Sequence, residues 1–129
     1  MIKSTMNNLD QLKSVPKYVE KEWGYEKWLF NDEELDICSK ILFIKKGSKF
    51  SQHFHDKKVE QFFIQSGKCI LRIHQMQQSS PQTVQTVLNE GECFFIDRLT
   101  AHQLEALEDT TIIETSTFHR DEDSYRLWR

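Results

Sequence analysis

The stretch from Gly47 to Gly67 constrains the fold of this chain more than any other. It reads GSKFSQHFHDKKVEQFFIQSG, with two histidines two residues apart and a glutamate five residues later. Side chains two apart on a β-strand point to the same face, so His53 and His55 can bind one ion if this run is a strand. The polar segment DKKV predicts a turn, which would make a β-hairpin that brings Glu60 alongside as a third ligand. Such spacings recur by chance, so the pattern alone is a weak metal signal.

These residues carry a resemblance to a known family. Gly47, His53, His55, Glu60 and Gly67 match the first motif of the cupin superfamily, G(x)5HxH(x)3-4E(x)6G, at every position and spacing. The resemblance implies an all-β fold, a double-stranded β-helix or jelly-roll barrel. It also implies one divalent transition metal, and nitrogen and oxygen donors alone do not choose among Mn, Fe, Zn and Ni.

A second segment resembles the other cupin motif, G(x)5PxG(x)2H(x)3N. It is GECFFIDRLTAH, from Gly91 to His102, and its glycine and histidine stand at the family's spacing. Asp97 and Leu99 replace the proline and glycine of the family's turn, and Ala106 replaces the closing asparagine. The resemblance implies four metal ligands, namely His53, His55, Glu60 and His102.

A looser resemblance covers the flanking segments. The runs WGYEKWLFNDEELDICSKILFIKKG and ETSTFHRDEDSYRL are similar to small cupins related to the cupin domain of bacterial bifunctional mannose-6-phosphate isomerases. Trp23, Gly24, Lys40 and the segment 121–126 fall at matching positions. This resemblance implies a metal-dependent, isomerase-like enzyme of carbohydrate metabolism that acts on a small sugar or sugar phosphate, with Lys40 in contact with the substrate.

Glu114 is the candidate catalytic residue for proton transfer. It lies in the apolar run IIETST, and an acid on a strand that looks buried needs a partner or has a shifted pKa. Periodicity does not decide which face of this strand is inside, so an outward or salt-bridged glutamate fits equally well. We expect the remaining histidines, His74 beside a polar loop and His119 in a charged tail, to be exposed.

The cupin fold does not name a reaction, because isomerases, dioxygenases, decarboxylases, epimerases and non-catalytic binders share it. An iron-dependent dioxygenase acting on a small molecule would use the same four ligands. A non-catalytic module that binds a metal or a small molecule is the third interpretation. All three leave the substrate open.

The rest of the sequence predicts strands and turns. A strand pair flanks the turn NDEE, and further strands are expected at CILRI, within TVLNEGECFFID, and at AHQLEALED and TTIIETSTF. The polar run HQMQQSSPQTVQT is expected to be a loop. Four aromatic residues near the amino end favour packing over one end of the barrel above a ligand cage; they are Trp23, Tyr25, Trp28 and Phe30.

Composition bounds the class of protein. With 129 residues and 38% hydrophobic content, we expect an amino-terminal arm over residues 1–20 and a single cupin domain over 21–129. The net charge of −3, with both signs mixed along the chain, excludes a typical nucleic-acid stripe, and no run is long enough for a membrane span.

The cysteines and the sheet edges give two further expectations. Cys38, Cys69 and Cys93 are odd in number and lack CxxC spacing, which predicts reduced, buried thiols in a cytoplasmic protein. A small barrel exposes strand edges that a second copy would cover, so we expect a homodimer.

Overall fold

A computed structural model describes residues 9–75 and 79–128 of the chain. Within these residues it contains eleven β-strands and two short 3₁₀ helices, Leu9–Leu12 and Asp121–Asp123. The strands are β1 (Lys17–Lys21), β2 (Gly24–Asp32), β3 (Ile37–Ile44), β4 (Gln52–Phe54), β5 (Glu60–Ser66), β6 (Lys68–Gln75), β7 (Gln82–Asn89), β8 (Cys93–Ile96), β9 (Ala101–Ala106), β10 (Thr110–Ser116) and β11 (Tyr125–Trp128).

The strands form two antiparallel sheets that make the walls of a jelly-roll barrel. The six-stranded sheet has the order β1-β2-β3-β10-β5-β8, and the five-stranded sheet has the order β11-β4-β9-β6-β7. All the strand pairs are antiparallel, and most neighbours in space are distant in sequence. The predicted all-β jelly-roll fold is confirmed.

The core lies between the two sheets. In β3, every second residue from Cys38 to Ile44 is buried, which is the alternation expected when one face of a strand packs inward. β5 and β10 alternate in the same way. The buried apolar cluster comprises Leu42, Ile44, Phe62, Ile64, Cys69, Leu71, Leu88, Ile96, Leu104, Ala106 and Ile112.

The predicted hairpin between the histidine pair and Glu60 is wrong. β4 pairs with β9 and β11, whereas β5 pairs with β10 and β8, so the two strands lie in different sheets. The connecting segment crosses the barrel. The carboxylate of Asp123 holds it there by accepting hydrogen bonds from the backbone N–H groups of Asp56, Lys57 and Lys58 at 2.9, 3.1 and 3.1 Å.

The polar run after β6 forms more strand than predicted. β7 pairs with β6 along its whole length, from Asn89 opposite Lys68 to Gln82 opposite Gln75. This leaves a connection over 76–81, of which 76–78 lie outside the described residues. The charged tail is also ordered into a strand, since β11 pairs with β4 and places Arg126 opposite His53.

The amino end contributes an edge strand, and the cysteines follow their prediction only in part. A piece of the predicted arm joins the barrel, because β1 pairs with β2 at the edge of the six-stranded sheet, whereas residues 1–8 lie outside the described residues. Cys38 and Cys69 are buried, but Cys93 is exposed, so its predicted burial is wrong. Across 9–75 and 79–128, the structure has no helix of the length and apolarity that crossing a membrane requires.

Candidate metal centre

The candidate site lies between two rows of side chains, one on each sheet. On the five-stranded sheet, His53 of β4 stands directly opposite His102 of β9. On the six-stranded sheet, Glu114 of β10 lies between Lys40 of β3 and Phe62 of β5. The pairing register of strands far apart in the chain therefore brings the predicted ligands and the predicted catalytic residue to one barrel interior.

Three histidines converge inside the barrel. His53 and His55 project together from β4 and its end, and His102 faces them from β9. One ring nitrogen from each lies within 4.8 Å of the others. His55 and His102 are buried and His53 is partly buried, so the cluster sits at the inner end of the site.

Backbone carbonyls fix the tautomers of all three rings. Nδ1 of His53 lies 2.8 Å from the Ser51 oxygen, and Nδ1 of His102 lies 2.9 Å from the Thr100 oxygen. Nδ1 of His55 likewise lies 2.8 Å from a carbonyl, that of Asp123. A carbonyl only accepts, so Nδ1 carries the proton and, in the neutral ring, Nε2 keeps a lone pair for a metal.

Burial keeps two of the rings neutral. It lowers the pKa of His53 to about 3, and the neighbouring histidines add to this effect. Burial also lowers the pKa of His55. Neutral imidazoles are the form that binds metal ions, so this pair is ready to act as ligands at neutral pH.

Glu60 supplies the anionic member of the site. Its Oε1 lies 2.8 Å from Nε2 of His102 and 3.7 Å from Nε2 of His55. Burial opposes its ionisation, but the Lys58 ammonium outweighs burial and holds the pKa of this carboxyl well below its usual value. Glu60 is therefore a carboxylate, 2% exposed, beside three imidazoles.

Two atoms of the cluster show that the residues fit a cation. Oε1 of Glu60 and Nε2 of His102 are buried, and neither has a hydrogen-bond partner in the described part of the chain. A buried polar atom without a partner costs free energy, which a bound ion would offset. Three imidazoles and one carboxylate are the donor set of a divalent transition-metal site. An ion with six coordination positions would keep two of them for water or substrate.

Lys58 is the main residue that sequence reasoning missed, because DKKV has the composition of a polar turn. Its side chain is 3% exposed, and its Nζ lies 3.2 Å from Oε2 of Glu60 and 3.0 Å from Oε2 of Glu114. Burial alone would lower the pKa of Lys58, but Glu114 and Glu60 raise it above its usual value. One fixed ammonium thus neutralises part of the charge of two buried carboxylates.

Glu114 is buried and faces the interior of the barrel, and it also forms a salt bridge with Lys58. The sequence had left open whether this residue faces inward as a catalytic group or is a salt-bridged glutamate, and it is both inward-facing and salt-bridged. Burial raises its pKa, and the nearby Glu60 carboxylate adds to this against Lys58 and Lys40. The pKa values of the two carboxyl groups are therefore shifted in opposite directions. Such a split separates a permanently charged group from one able to exchange a proton.

Lys40 lies on the same wall as Glu114. It is 2% exposed, its Nζ is 3.7 Å from Oε1 of Glu26, and it sits 4.1 Å from the centre of the Trp28 ring. The Glu26 contact is longer than a hydrogen bond, so Lys40 keeps donor capacity toward the cavity. Trp28 fixes Glu26 instead, by donating from Nε1 at 2.8 Å.

The prediction that His119 is exposed is wrong. Its side chain is 12% exposed, and its ring packs edge-on against Trp28 with centroids 5.0 Å apart. Nε2 donates to Asp121 at 2.9 Å, which leaves Nδ1 to accept from Lys58 at 3.2 Å. Burial lowers the pKa of His119 to about 4, with Lys58 and Lys40 adding to the effect. His74 instead lies on β6 and bonds Thr83 across the strand pair.

One cavity of about 1020 Å³ is lined by the ionisable residues of the site, namely His53, His55, Glu60, His102, Lys58, Glu114, Lys40 and His119. The three histidines form one side, and the charged residues of the six-stranded sheet, Glu60 among them, form the other. Trp23, Trp28 and Phe50 add aromatic walls, so two of the amino-terminal aromatics do face the cavity. The volume is enough for a small polar molecule beside the histidine cluster.

The altered turn of the second motif keeps the expected backbone. Leu99 has φ +60°, in the left-handed region that favours glycine, and it stands where the cupin motif has a glycine. Its N–H donates to the His55 oxygen at 2.7 Å. The turn therefore still joins the two histidine segments, with a leucine in a strained conformation.

The fold places the chain in the class of cupin-type jelly-roll barrels, and its three histidines with Glu60 form a candidate site for a divalent metal ion. No protein-family model matches the sequence, and no curated protein matches it either. The class therefore rests on structure and on the motif residues.

Solved structures with the same fold include the capsular polysaccharide assembling protein CapF from Staphylococcus aureus. It superposes with a TM-score of 0.75 at 18% identity, over 95% of this chain and 34% of that one. Oxalate decarboxylase from Bacillus subtilis superposes with a TM-score of 0.73 at 16% identity, over 87% of this chain and 30% of that one. The chain thus spans about a third of the length of these proteins, and the likeness concerns the fold.

Proposed function

We propose that the protein is a divalent-metal-dependent enzyme that transfers a proton on a small sugar or sugar phosphate, in an aldose–ketose isomerisation. The observation that carries the proposal is the placement of Glu114 across one cavity from the histidine cluster. Metal-assisted proton transfer needs both groups to reach one substrate. The looser sequence resemblance to the cupin domain of mannose-6-phosphate isomerases points to the same chemistry.

In this proposal Glu114 moves the proton. Its carboxylate accepts the proton from C2 of the open-chain aldose and returns it to C1, while the hydroxyl proton moves from O2 to O1 through solvent or a neighbouring group. The raised pKa of Glu114 suits both halves of this exchange, since a general base works best when its pKa approaches the working pH. A bound divalent ion would supply Lewis-acid polarisation of the substrate oxygens.

Lys40 and the aromatic walls would hold the substrate. The buried Lys40 ammonium offers donors to a hydroxyl or a phosphate oxygen on the wall opposite the metal cluster. Trp23 and Trp28 present apolar surface beside it. Polar groups converging in a partly aromatic cavity are the usual basis of small-molecule specificity.

The experiment is deuterium incorporation at C2. The protein would be loaded separately with Mn²⁺, Fe²⁺, Zn²⁺ and Ni²⁺ and mixed in deuterated water with a panel of aldoses, ketoses and their phosphates. We expect exchange at C2 for at least one sugar, detected by proton NMR. Glu114→Gln should abolish the exchange without loss of metal, whereas Glu105→Gln, which removes the partner of Arg72 on a half-exposed surface, should leave it intact.

Failure would take recognisable forms. No exchange with any metal would contradict the isomerase proposal. Oxygen uptake that requires iron would identify a dioxygenase instead. Binding of a sugar without turnover would identify a non-catalytic module. Because the fold is shared with oxalate decarboxylase and CapF, oxalate and polysaccharide fragments belong in the panel.

A further inference from the structure

Every proton of the Lys58 ammonium has one acceptor nearby. Nζ lies 3.0 Å from Oε2 of Glu114, 3.2 Å from Oε2 of Glu60 and 3.2 Å from Nδ1 of His119. An ammonium group has three donors and no acceptor. Lys58 is therefore enclosed by three acceptors of the protein, whereas the carboxylate beside Lys40 lies 3.7 Å from its Nζ.

The contact with Glu60 involves only one of its two oxygens. Oε2 faces Lys58, while Oε1 faces Nε2 of His102 at 2.8 Å and Nε2 of His55 at 3.7 Å. The contact between Nζ and Oε2 is a buried ion pair, and opposite charges attract strongly where little water screens them. The ion pair draws Oε2 toward Lys58 and leaves the edge with Oε1 facing the imidazoles.

We propose that Lys58 is a positioning residue that occupies Oε2 of Glu60 and limits this carboxylate to a single metal-binding oxygen. Carboxylates bind divalent ions through one oxygen or through both. With Oε2 held, the ion keeps a coordination position that a second carboxylate oxygen would otherwise fill. The inference rests on the proposed metal site, and it concerns how many positions remain open for substrate.

A purely electrostatic role makes a different prediction. If Lys58 only offset negative charge, any buried ammonium in the cavity would serve, and the number of open positions would not depend on it. Lys40 provides the comparison, because it lines the same cavity, is equally buried and makes its ion pair with Glu26. Replacing each lysine in turn therefore distinguishes an effect of the contact with Glu60 from an effect of positive charge in the cavity.

The experiment counts water molecules bound to the ion. Mn²⁺ would be added to the full-length protein, and the relaxation rate of water protons would be measured at saturation of the site. With four protein ligands and six positions, about two waters bind the ion in the wild type. In Lys58→Met we expect Glu60 to bind through both oxygens, so the inner-sphere relaxation enhancement should fall to roughly half.

Three variants make the result decisive. Lys40→Met should keep the wild-type relaxation, and Lys58→Arg, which retains donors toward Oε2, should keep most of it. If Lys58→Met does not fold, because two carboxylates lose their partner, the double variant Lys58→Met with Glu114→Leu removes one of those charges and serves instead.

Each contrary outcome has its own meaning. A Lys58→Met protein that binds Mn²⁺ with unchanged relaxation would overturn this inference and leave the metal site standing. An equal loss in Lys40→Met would also overturn it, since charge alone would then explain the effect. A wild-type protein that binds no metal ion would overturn the proposed metal site and this inference together.

Discussion

Oε1 of Glu60 lies 2.8 Å from Nε2 of His102, and both atoms are buried without a hydrogen-bond partner among the residues that the structure describes. In the neutral form of His102 both atoms are acceptors, and at this distance they repel each other unless a cation lies close to both. The backbone carbonyl of Thr100 holds the proton of His102 on Nδ1, so the ring presents its lone pair to Glu60. This pair is the strongest structural argument for a cation-binding site in the barrel.

Glu60→Gln should weaken metal binding by about 100-fold or more. An amide lacks the negative charge that attracts the ion, and it binds divalent cations poorly. Chelator competition or titration calorimetry would measure the change. Glu26→Gln is the matched control, since Glu26 lines the same cavity but pairs with Lys40 and Trp28. Equal affinities for Glu60→Gln and the wild type would remove Glu60 from the ligand set.

The buried His119 predicts a pH dependence of stability. Its pKa is about 4 in the folded protein against about 6.5 when unfolded, so the unfolded chain binds more protons between these values. The folded state therefore loses stability as the pH falls from 6.5 toward 4. Between pH 7 and pH 5, this contribution amounts to about 2 kcal/mol.

His119→Asn should remove that contribution. Urea unfolding of the metal-free protein at pH 7 and pH 5 would measure it, and the variant should lose about 2 kcal/mol less than the wild type over this interval. His74→Asn makes the same replacement on the β6–β7 pair, away from the cavity, and is the comparison for the loss of a histidine as such. If His119→Asn lost as much free energy of unfolding between pH 7 and pH 5 as the wild type does, the burial of a neutral His119 would be contradicted.

Gly47 and Gly67, the first and last residues of the first motif, should differ in their tolerance of alanine. Both have positive φ, +82° for Gly47 and +94° for Gly67, so alanine is strained at either position. A Cβ at Gly47 meets no heavy atom within 4 Å, whereas one at Gly67 would collide with the carbonyl oxygen of Asp109 and lie 2.7 Å from Thr110 Oγ1. We expect Gly47→Ala to cost about 1–2 kcal/mol of unfolding free energy and Gly67→Ala clearly more. Thermal or urea unfolding would measure both costs. Equal losses of unfolding free energy in Gly47→Ala and Gly67→Ala would show that the close approach at Gly67 is absent.

Leu99 offers a stabilising substitution. A leucine at φ +60° costs about 1–2 kcal/mol, whereas asparagine accepts this conformation more readily. Leu99→Asn should raise the free energy of unfolding by up to about 1 kcal/mol, measured by urea denaturation. Leu35, which is as exposed as Leu99 at 46% and has no positive φ, is the control, and Leu35→Asn should not stabilise the protein. A loss of stability in Leu99→Asn would show that the leucine side chain makes contacts that outweigh the strain.

The sequence alone predicted what is local. His53 and His55 stand two residues apart, and Glu60 and His102 follow at the spacings of two recognisable motifs, so the motif residues by themselves name the four candidate ligands. The predicted cupin fold followed from those same residues and is confirmed. The predicted homodimer and cytoplasmic location stay predictions.

The rest of the site depends on contacts between distant segments. Lys58 acquires its role from Glu114 and His119, which lie 56 and 61 positions away, so no local pattern distinguishes it from a solvated turn lysine. Asp123 holds the crossing segment from 65 to 67 positions away. His119 looks exposed in a charged tail, and only the return of β11 to β4 brings that tail against the cavity.

The metal content of the protein, purified without chelator and without added metal, tests the site most directly. Elemental analysis should find close to one transition-metal ion per chain in the wild type and in His74→Ala, and almost none in His53→Ala. A wild-type protein that carries no metal and takes up none when Mn²⁺, Fe²⁺, Zn²⁺ or Ni²⁺ is supplied would contradict the metal centre. Metal retained at wild-type level in His53→Ala would place the ion elsewhere.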